Sequence, residues 1–314
     1  MVELAQQFVP AADEVWRLQN DAGAECVWFR SAVRGRPDPS AGTMQGIYVL
    51  TPGGKRLGSL NSLNPDAVLG VLTKALESWA ALSPEERSVD PKVLPSPEHR
   101  WEHSCPEDGL ILERFARDVG EDPSAEVLRP VNRDALWFTA AEARSLLPEQ
   151  LVKGGSAEAP AVAHRMARLS LVDNVRGQTL PFSPEEVEGT LRSEVVSVDG
   201  SRITLQLSGS TRAVAPGPWS GGDNYWKPRR EWPRSVEADL LGRAVYDRAT
   251  GRFVAFEMVA LGWRKGRTGL NGRYRETGEE PRRIGFLIRL APQGWRVAPT
   301  FINVYDADWV VQPG

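Results

Sequence analysis

Apolar positions recur along this chain with two different periods, and the change of period divides it. In the first ninety residues the clearest signal is helical: Val68, Leu69, Leu72, Leu76 and Trp79 recur at helix spacing behind Asn64, a capping residue, and Pro65 at the first helical position. That helix is predicted to stop near Ser83, where "SPEER" opens a capping box. Before it, Ile47, Tyr48, Val49 and Leu50 form a short apolar run suited to a strand buried on both faces. Pro52, Gly53 and Gly54 supply a tight turn, and Lys55 to Leu60 returns as an edge strand. Further upstream, "LAQQFVPAADEV" reads as a helix end and an extended segment centred on Phe8 and Val9. "AECVWFRSAVRG" reads as a short helix with Val27, Trp28 and Val33 inward.

Beyond residue 160 the period falls to two. "EVVSVDGSRITLQL" alternates on both sides of Asp199 and Gly200, a dipeptide that favours a two-residue hairpin, and "LLGRAVYDRATGRFVAFEMVALG" repeats the design with a longer turn. "IGFLIRLAPQGWRVAP" predicts another pair across Pro292 and Gly294. At least six strands joined by local turns imply an antiparallel meander that curls into a β-barrel or sandwich. A helix precedes them, "PAVAHRMARLSLVDN", with Val162, Met166 and Leu169 on one face and His164, Arg165 and Arg168 on its polar side; a further "SPEE" box starts at Ser183. Residues 91–160 show scattered prolines and read as a bridge with short helices, one of them "FTAAEARSLLP" with Thr139 and Glu142 at capping-box spacing. The expected fold class is α+β, divided as 1–90, a bridge over 91–160, and a β-rich domain over 161–314.

The order of elements in the first ninety residues resembles the later part of a thioredoxin-like domain. "FVPAADEV" is similar to that fold's second strand and "IYVLTPGGKRLGSL" to its closing hairpin. The resemblance implies an incomplete α/β domain. The Cys-x-x-Cys that such enzymes carry at a helix start, where the dipole lowers the thiol pKa, would fall before Met1. The proline that the family usually sets before its third strand is replaced by Gln45 and Gly46, so the family's redox chemistry is not implied.

Composition narrows the function. With 314 residues, 41% hydrophobic and 25% charged, the chain is long enough for two cores and too apolar to be disordered. A formal charge of −3 gives no global attraction to nucleic acid or anionic membrane. Cys26 and Cys105 are too far apart in sequence to suggest a disulfide framework. The first residues lack a secretory leader and no run is long enough to span a bilayer, so the chain as given reads as cytoplasmic, or as exported or periplasmic if its start is truncated. No cofactor is expected: the nucleophile-elbow, phosphate-loop and zinc-protease motifs do not occur, and "GLNGRYRETG" lies in a β meander with no helix to make it a dinucleotide fingerprint.

Four groups of residues remain as candidates. "GPWSGGDNYWKPRREWPR" joins Trp219, Tyr225, Trp226 and Trp232 to Lys227, Arg229 and Arg230, and "WRKGRTGLNGRYR" adds Trp263 and Arg264. From Gly217 to Arg283 there are 14 Lys plus Arg against 9 Asp plus Glu. Aromatic faces mixed with guanidinium groups could hold a ligand, or the tryptophans could plug the open end of a barrel. His164, Arg168, Asp173, Asn174 and Arg176 could line a pocket where helix meets sheet, or Asp173 and Asn174 could simply turn the chain. His99, His103 and Cys105 offer soft ligands near one another, weighed against a solvated loop. Cys26 is a candidate redox thiol, peroxidatic or forming a mixed disulfide, but Glu25 beside it is a carboxylate that raises its pKa, which favours reading it as a half-buried structural cysteine. The expectation is a non-catalytic binding or scaffold protein with an unidentified ligand or protein partner. The alternative is a thiol–disulfide redox protein whose catalytic cysteine segment is missing from the start.

Overall fold

Strict alternation organises the largest element of the molecule. Along Arg234–Asp247, residues 236, 238, 240, 242 and 244 are buried while 237, 239, 241 and 243 are exposed, and Arg252–Lys265 repeats the pattern. A computed structural model describes residues 2–13, 15–38, 42–95, 101–120, 131–215, 233–267, 271–273, 280–302 and 305. The chain divides into two compact units, Met1–Arg100 and Trp101–Gly314.

In the first unit, short helices α1 (Val2–Ala5), α2 (Val15–Asn20) and α3 (Ala24–Arg34) precede the hairpin β1 (Ile47–Leu50) and β2 (Arg56–Leu60), then α4 (Pro65–Ala80) and α5 (Pro84–Arg87). The capping residues act as the sequence predicts. Asn64 accepts from the amides of Asp66 and Ala67, and Ser83 and Glu86 form the reciprocal box at α5. Two expectations change. Phe8 and Val9 form no strand, and Val9 is 96% exposed; the apolar pair runs straight into Pro10, which cannot donate to a ladder, and the hairpin strands pair with each other. Nor is β1 buried on both faces: Val49 is its buried residue, and its neighbours are half-covered. The two-stranded sheet leaves the thioredoxin-like resemblance of this unit an expectation.

The second unit is built on one sheet. Its elements are β3 (Leu110–Asp118), β4 (Val131–Phe138), α6 (Ala140–Ser145), β5 (Ser156–Glu158), α7 (Pro160–Arg165), β6 (Val187–Asp199), β7 (Arg202–Ala215), β8 (Arg234–Asp247), β9 (Arg252–Lys265) and β10 (Arg282–Leu290). They pair in the order β4-β3-β10-β9-β8-β7-β6-β5, antiparallel throughout. The predicted hairpins form: Gly200 and Gly251 take φ of 58° and 68°, a left-handed geometry that glycine adopts without a Cβ penalty. The mixed helix-and-strand class and the antiparallel sheet are as expected, but the barrel is not. Among the described residues β4 and β5 are its ends and do not pair with each other, so the sheet does not close.

The segment 91–160, expected as a bridge of short helices, supplies β3 and β4 to this sheet. Their pattern is hidden in sequence because charged Glu113 and Arg114 stand mid-strand, each fully buried against opposite charges. The strand expected after Pro292 is absent, since both edges of β10 are already taken by β9 and β3. The "SPEE" box caps one short 3-10 turn, Pro184–Glu186.

One face of the sheet carries the core. Across it Phe286, Ala260, Leu240, Gly209 and Leu191 stand opposite one another, large alternating with small. α7 and the π-helical turn Met166–Ser170 that continues it bury Val162, Ala163, Met166, Ala167 and Leu169 in the same cluster. The approach is close: a Cβ on Gly189 would sit 3.1 Å from the Cβ of Ala163.

Candidate functional site

On the core face, the ends of β3 and β9 converge with the segment after the π turn, and charge is gathered there. Arg273, whose side chain is fully buried, donates from both terminal nitrogens to Asp118 at 2.8 Å. It also donates to the two carboxylate oxygens of Asp173 at 3.0 and 2.5 Å. Arg264 lies 3.4 Å from Asp118 and 3.7 Å from Asp173, and Arg176 donates to Asp118 at 2.9 Å. Burial alone would push the Asp118 carboxyl up, but the Arg273 hydrogen bonds, with the charges of Arg264 and Arg176, hold it below the usual carboxylate range. Beside this cluster the buried Arg114 donates to Asn174 at 3.0 Å, Asn132 at 2.8 Å and Asp134 at 3.1 Å. Asp134 in turn accepts the amides of Ala135 and Thr300.

Of the residues grouped from sequence as a candidate pocket, three are brought together in ion-pair and hydrogen-bond networks. Asp173, Asn174 and Arg176 meet in these networks, tying the segment after the π turn to the strand ends, which extends the turn-forming role read for Asp173 and Asn174. His164 is half-buried on α7, and Arg168 is held apart from the cluster by donating to the carbonyl of Phe182 at 3.0 Å. Arg165, expected on a polar helix face, is buried against Glu142 at 2.6 Å, with its guanidinium 5.2 Å from the Tyr305 ring. Burial pushes the Tyr305 hydroxyl up to about 12, against the opposing pull of Arg165 and a Ser170 hydrogen bond. Arginines clamped by carboxylates hold a fold together; they offer no group poised for proton transfer.

The opposite face is different in kind. Register places Ser208, Leu241, Val259, Leu287 and Phe115 side by side across β7, β8, β9, β10 and β3. Leu241 is 64% exposed, Val259 50% and Leu287 45%. Two residues along, Gln206, Arg243, Glu257, Arg289 and Glu113 form a parallel row of alternating charge. Between the rows runs a shallow groove of about 370 Å³, lined by Gln206, Leu241, Arg243, Glu257, Val259 and Leu287. Trp263, selected from sequence, stands on this same face at 47% exposure with Arg283 over its ring at 4.6 Å. Its neighbour Arg264 points the other way into the ion cluster, so the two halves of that sequence pair have separate roles.

The face is hidden in sequence because β8 and β10, read alone, look amphipathic. The signal that identifies it lies in "EMVALGW", where both parities are apolar: Met258, Ala260 and Gly262 face the core, and Val259, Leu261 and Trp263 face out.

Other candidates are placed as follows. Trp219, Tyr225, Trp226, Lys227, Arg229, Arg230 and Trp232 lie outside the described residues, as does His99. His103 is exposed and Cys105 is packed in the core, its thiol pushed up by burial. Cys26 is fully buried, more than half-burial would suggest. Arg17, not the Arg30 one turn away, reaches its sulfur at 3.3 Å; Arg30 is committed to the carbonyls of Leu18 and Asp21. Burial nevertheless raises the Cys26 thiol above its ordinary value, with Arg17 opposing, which disfavours a reactive thiolate.

No helix among the described residues is long and apolar enough to cross a membrane. The chain matches no protein-family model, no curated protein and no solved structure.

Proposed function

We propose that this chain is a non-catalytic binding or scaffold protein and that it binds through the open face of its eight-stranded sheet. The observation that carries the reading is the exposed row Leu241, Val259 and Leu287, contiguous across three central strands and flanked by charges. Contiguous exposed apolar surface with a polar rim marks an interaction site, whereas single exposed side chains do not. A redox role draws no support from Cys26, which is buried and whose thiol burial pushes above its ordinary value.

Photo-crosslinking tests this directly. Benzoylphenylalanine at Val259, in the cells that make the protein, should yield an adduct under ultraviolet light, while the same group at exposed Lys74 on α4 should not. Absence of any adduct from position 259 overturns the reading.

A further inference from the structure

We infer that the occupant of the open face is a second copy of this chain, packed sheet to sheet. The inference rests on the binding reading above and names the partner. A two-fold dimer uses one patch twice, so the patch must complement itself. When two sheets stack face to face the two-fold axis lies in the plane between them, and the apolar row supplies that axis. Leu241, Val259 and Leu287 then each meet their own counterparts, and residues two positions to one side of the row meet residues two positions to the other side on the same strand.

This operation can be checked strand by strand against the register. On β8 it sets Arg243 against Asp239 of the second copy, and Asp239 against its Arg243. On β3, Glu113 is already covered and paired within its own chain by Arg133 and Arg289, so it brings no uncompensated charge to the second copy. On β7, Gln206 meets Ser210; on β9, Glu257 meets Leu261; on β10, Arg289 meets Gly285. None of these pairs brings like charges together. On the axis itself Arg192 and Arg133 meet their own copies, but each is already paired within its chain, to Glu158 and Glu113. An axis along the strands would instead set Arg243 against Arg289, so the apolar row is the direction the charges favour.

Size agrees with a dimer. From β6 to β10 the face spans five strands, about 24 Å at sheet spacing, and the nine residues of β10 run about 30 Å. That is roughly 720 Å² per copy, close to the ~800 Å² per partner of a standard stable interface. Closing the face this way would make the open sheet half of an intermolecular sandwich, with the two layers ~10 Å apart.

Charge reversal tests the geometry. Arg243 and Asp239 are four residues apart on one strand, about 13 Å, so they cannot pair within a chain. In analytical ultracentrifugation the full chain should sediment at twice the monomer mass. Arg243→Asp and Asp239→Arg should each run as monomers, with dissociation constants raised at least about tenfold, because each sets like charges face to face. Their equimolar mixture should restore the dimer, since each reversed residue then meets an opposite charge, and circular dichroism melts of each variant establish that both are folded. The inference fails if the wild-type chain is monomeric at about 100 μM, well above the micromolar constants that interfaces of this size reach. It also fails if the single reversals dimerise like wild type, or if mixing restores nothing. A monomeric chain that still forms a crosslink from position 259 to a protein of another mass overturns the second copy while leaving the face a binding surface; loss of both overturns the two together.

Discussion

Leu240 and Leu241 are adjacent on β8, yet one is 3% exposed and the other 64%. The same contrast extends to charge. On the core face Asp173, Arg264 and Arg273 are buried and Asp118 is half-buried, all paired with one another, whereas on the open face Arg243, Asp239 and Glu257 remain in solvent. Buried charge is tolerated only where partners replace water, so the core-face arginines are committed to holding the fold. Exposed apolar residues carry no such commitment. Burial and availability are opposite properties of one strand, sorted by the parity of the residue number.

The sharpest way to break this contrast is to remove a buried charge. Arg273→Ala leaves Asp118 and Asp173 facing each other with Arg264 as their nearest remaining bridge. Breaking such a network by deleting one partner costs about 3–5 kcal/mol. Urea denaturation at neutral pH should show this loss. A variant as stable as wild type would mean that the cluster is solvated and that the two faces do not differ as described.

A smaller loss is expected from the apolar core. Leu205 is fully buried on β7, and Leu205→Ala should cost about 3 kcal/mol through lost transfer energy and the cavity left behind. Denaturation of this variant should show an unchanged slope and a lower midpoint.

The pH dependence isolates the carboxylate side of the cluster. Asp118 has a folded pKa below its ordinary value of ~3.9, so its contribution to stability is complete above that value and is lost as pH falls through the depressed folded value. Asp118→Asn should be less stable at neutral pH, and its stability should fall less steeply below about pH 4. Equal acid slopes in variant and wild type would assign the acid limb to other groups.

How much of this was legible in the sequence follows the same parity. The α4 and α5 caps, the α6 box and the β6–β7 and β8–β9 hairpins could be read because each signal lies within a few residues: Asn64 before Pro65, Thr139 before Glu142, Asp199-Gly200 between alternating runs. β3 and β4 could not, because Glu113, Arg114 and Asp134 look like solvent positions until their partners, distant in sequence, are in place. Asp173 and Arg273 are 100 residues apart and nothing local links them. The open face was hidden for a related reason: an exposed Leu241 is unremarkable alone and becomes a surface only when the register sets it beside Val259 and Leu287.

The smallest effect on folding should come from the open face, and it sharpens the comparison most. Leu241→Ala removes a side chain that is already largely in water and stands opposite Ser208 and Val259 on the neighbouring strands. Such cross-strand pairs contribute roughly 0.2–1 kcal/mol, so in dilute solution the variant should lose no more than that. Denaturation at rising protein concentration then separates two origins of stability. If the face is covered by a second copy, wild-type stability grows with concentration by mass action while that of Leu241→Ala stays nearly flat. The gap between them should therefore widen as the protein is concentrated. A constant gap as large as that of Leu205→Ala would mean that Leu241 is packed within its own chain, and the distinction between the two faces would disappear at the residue that defines it.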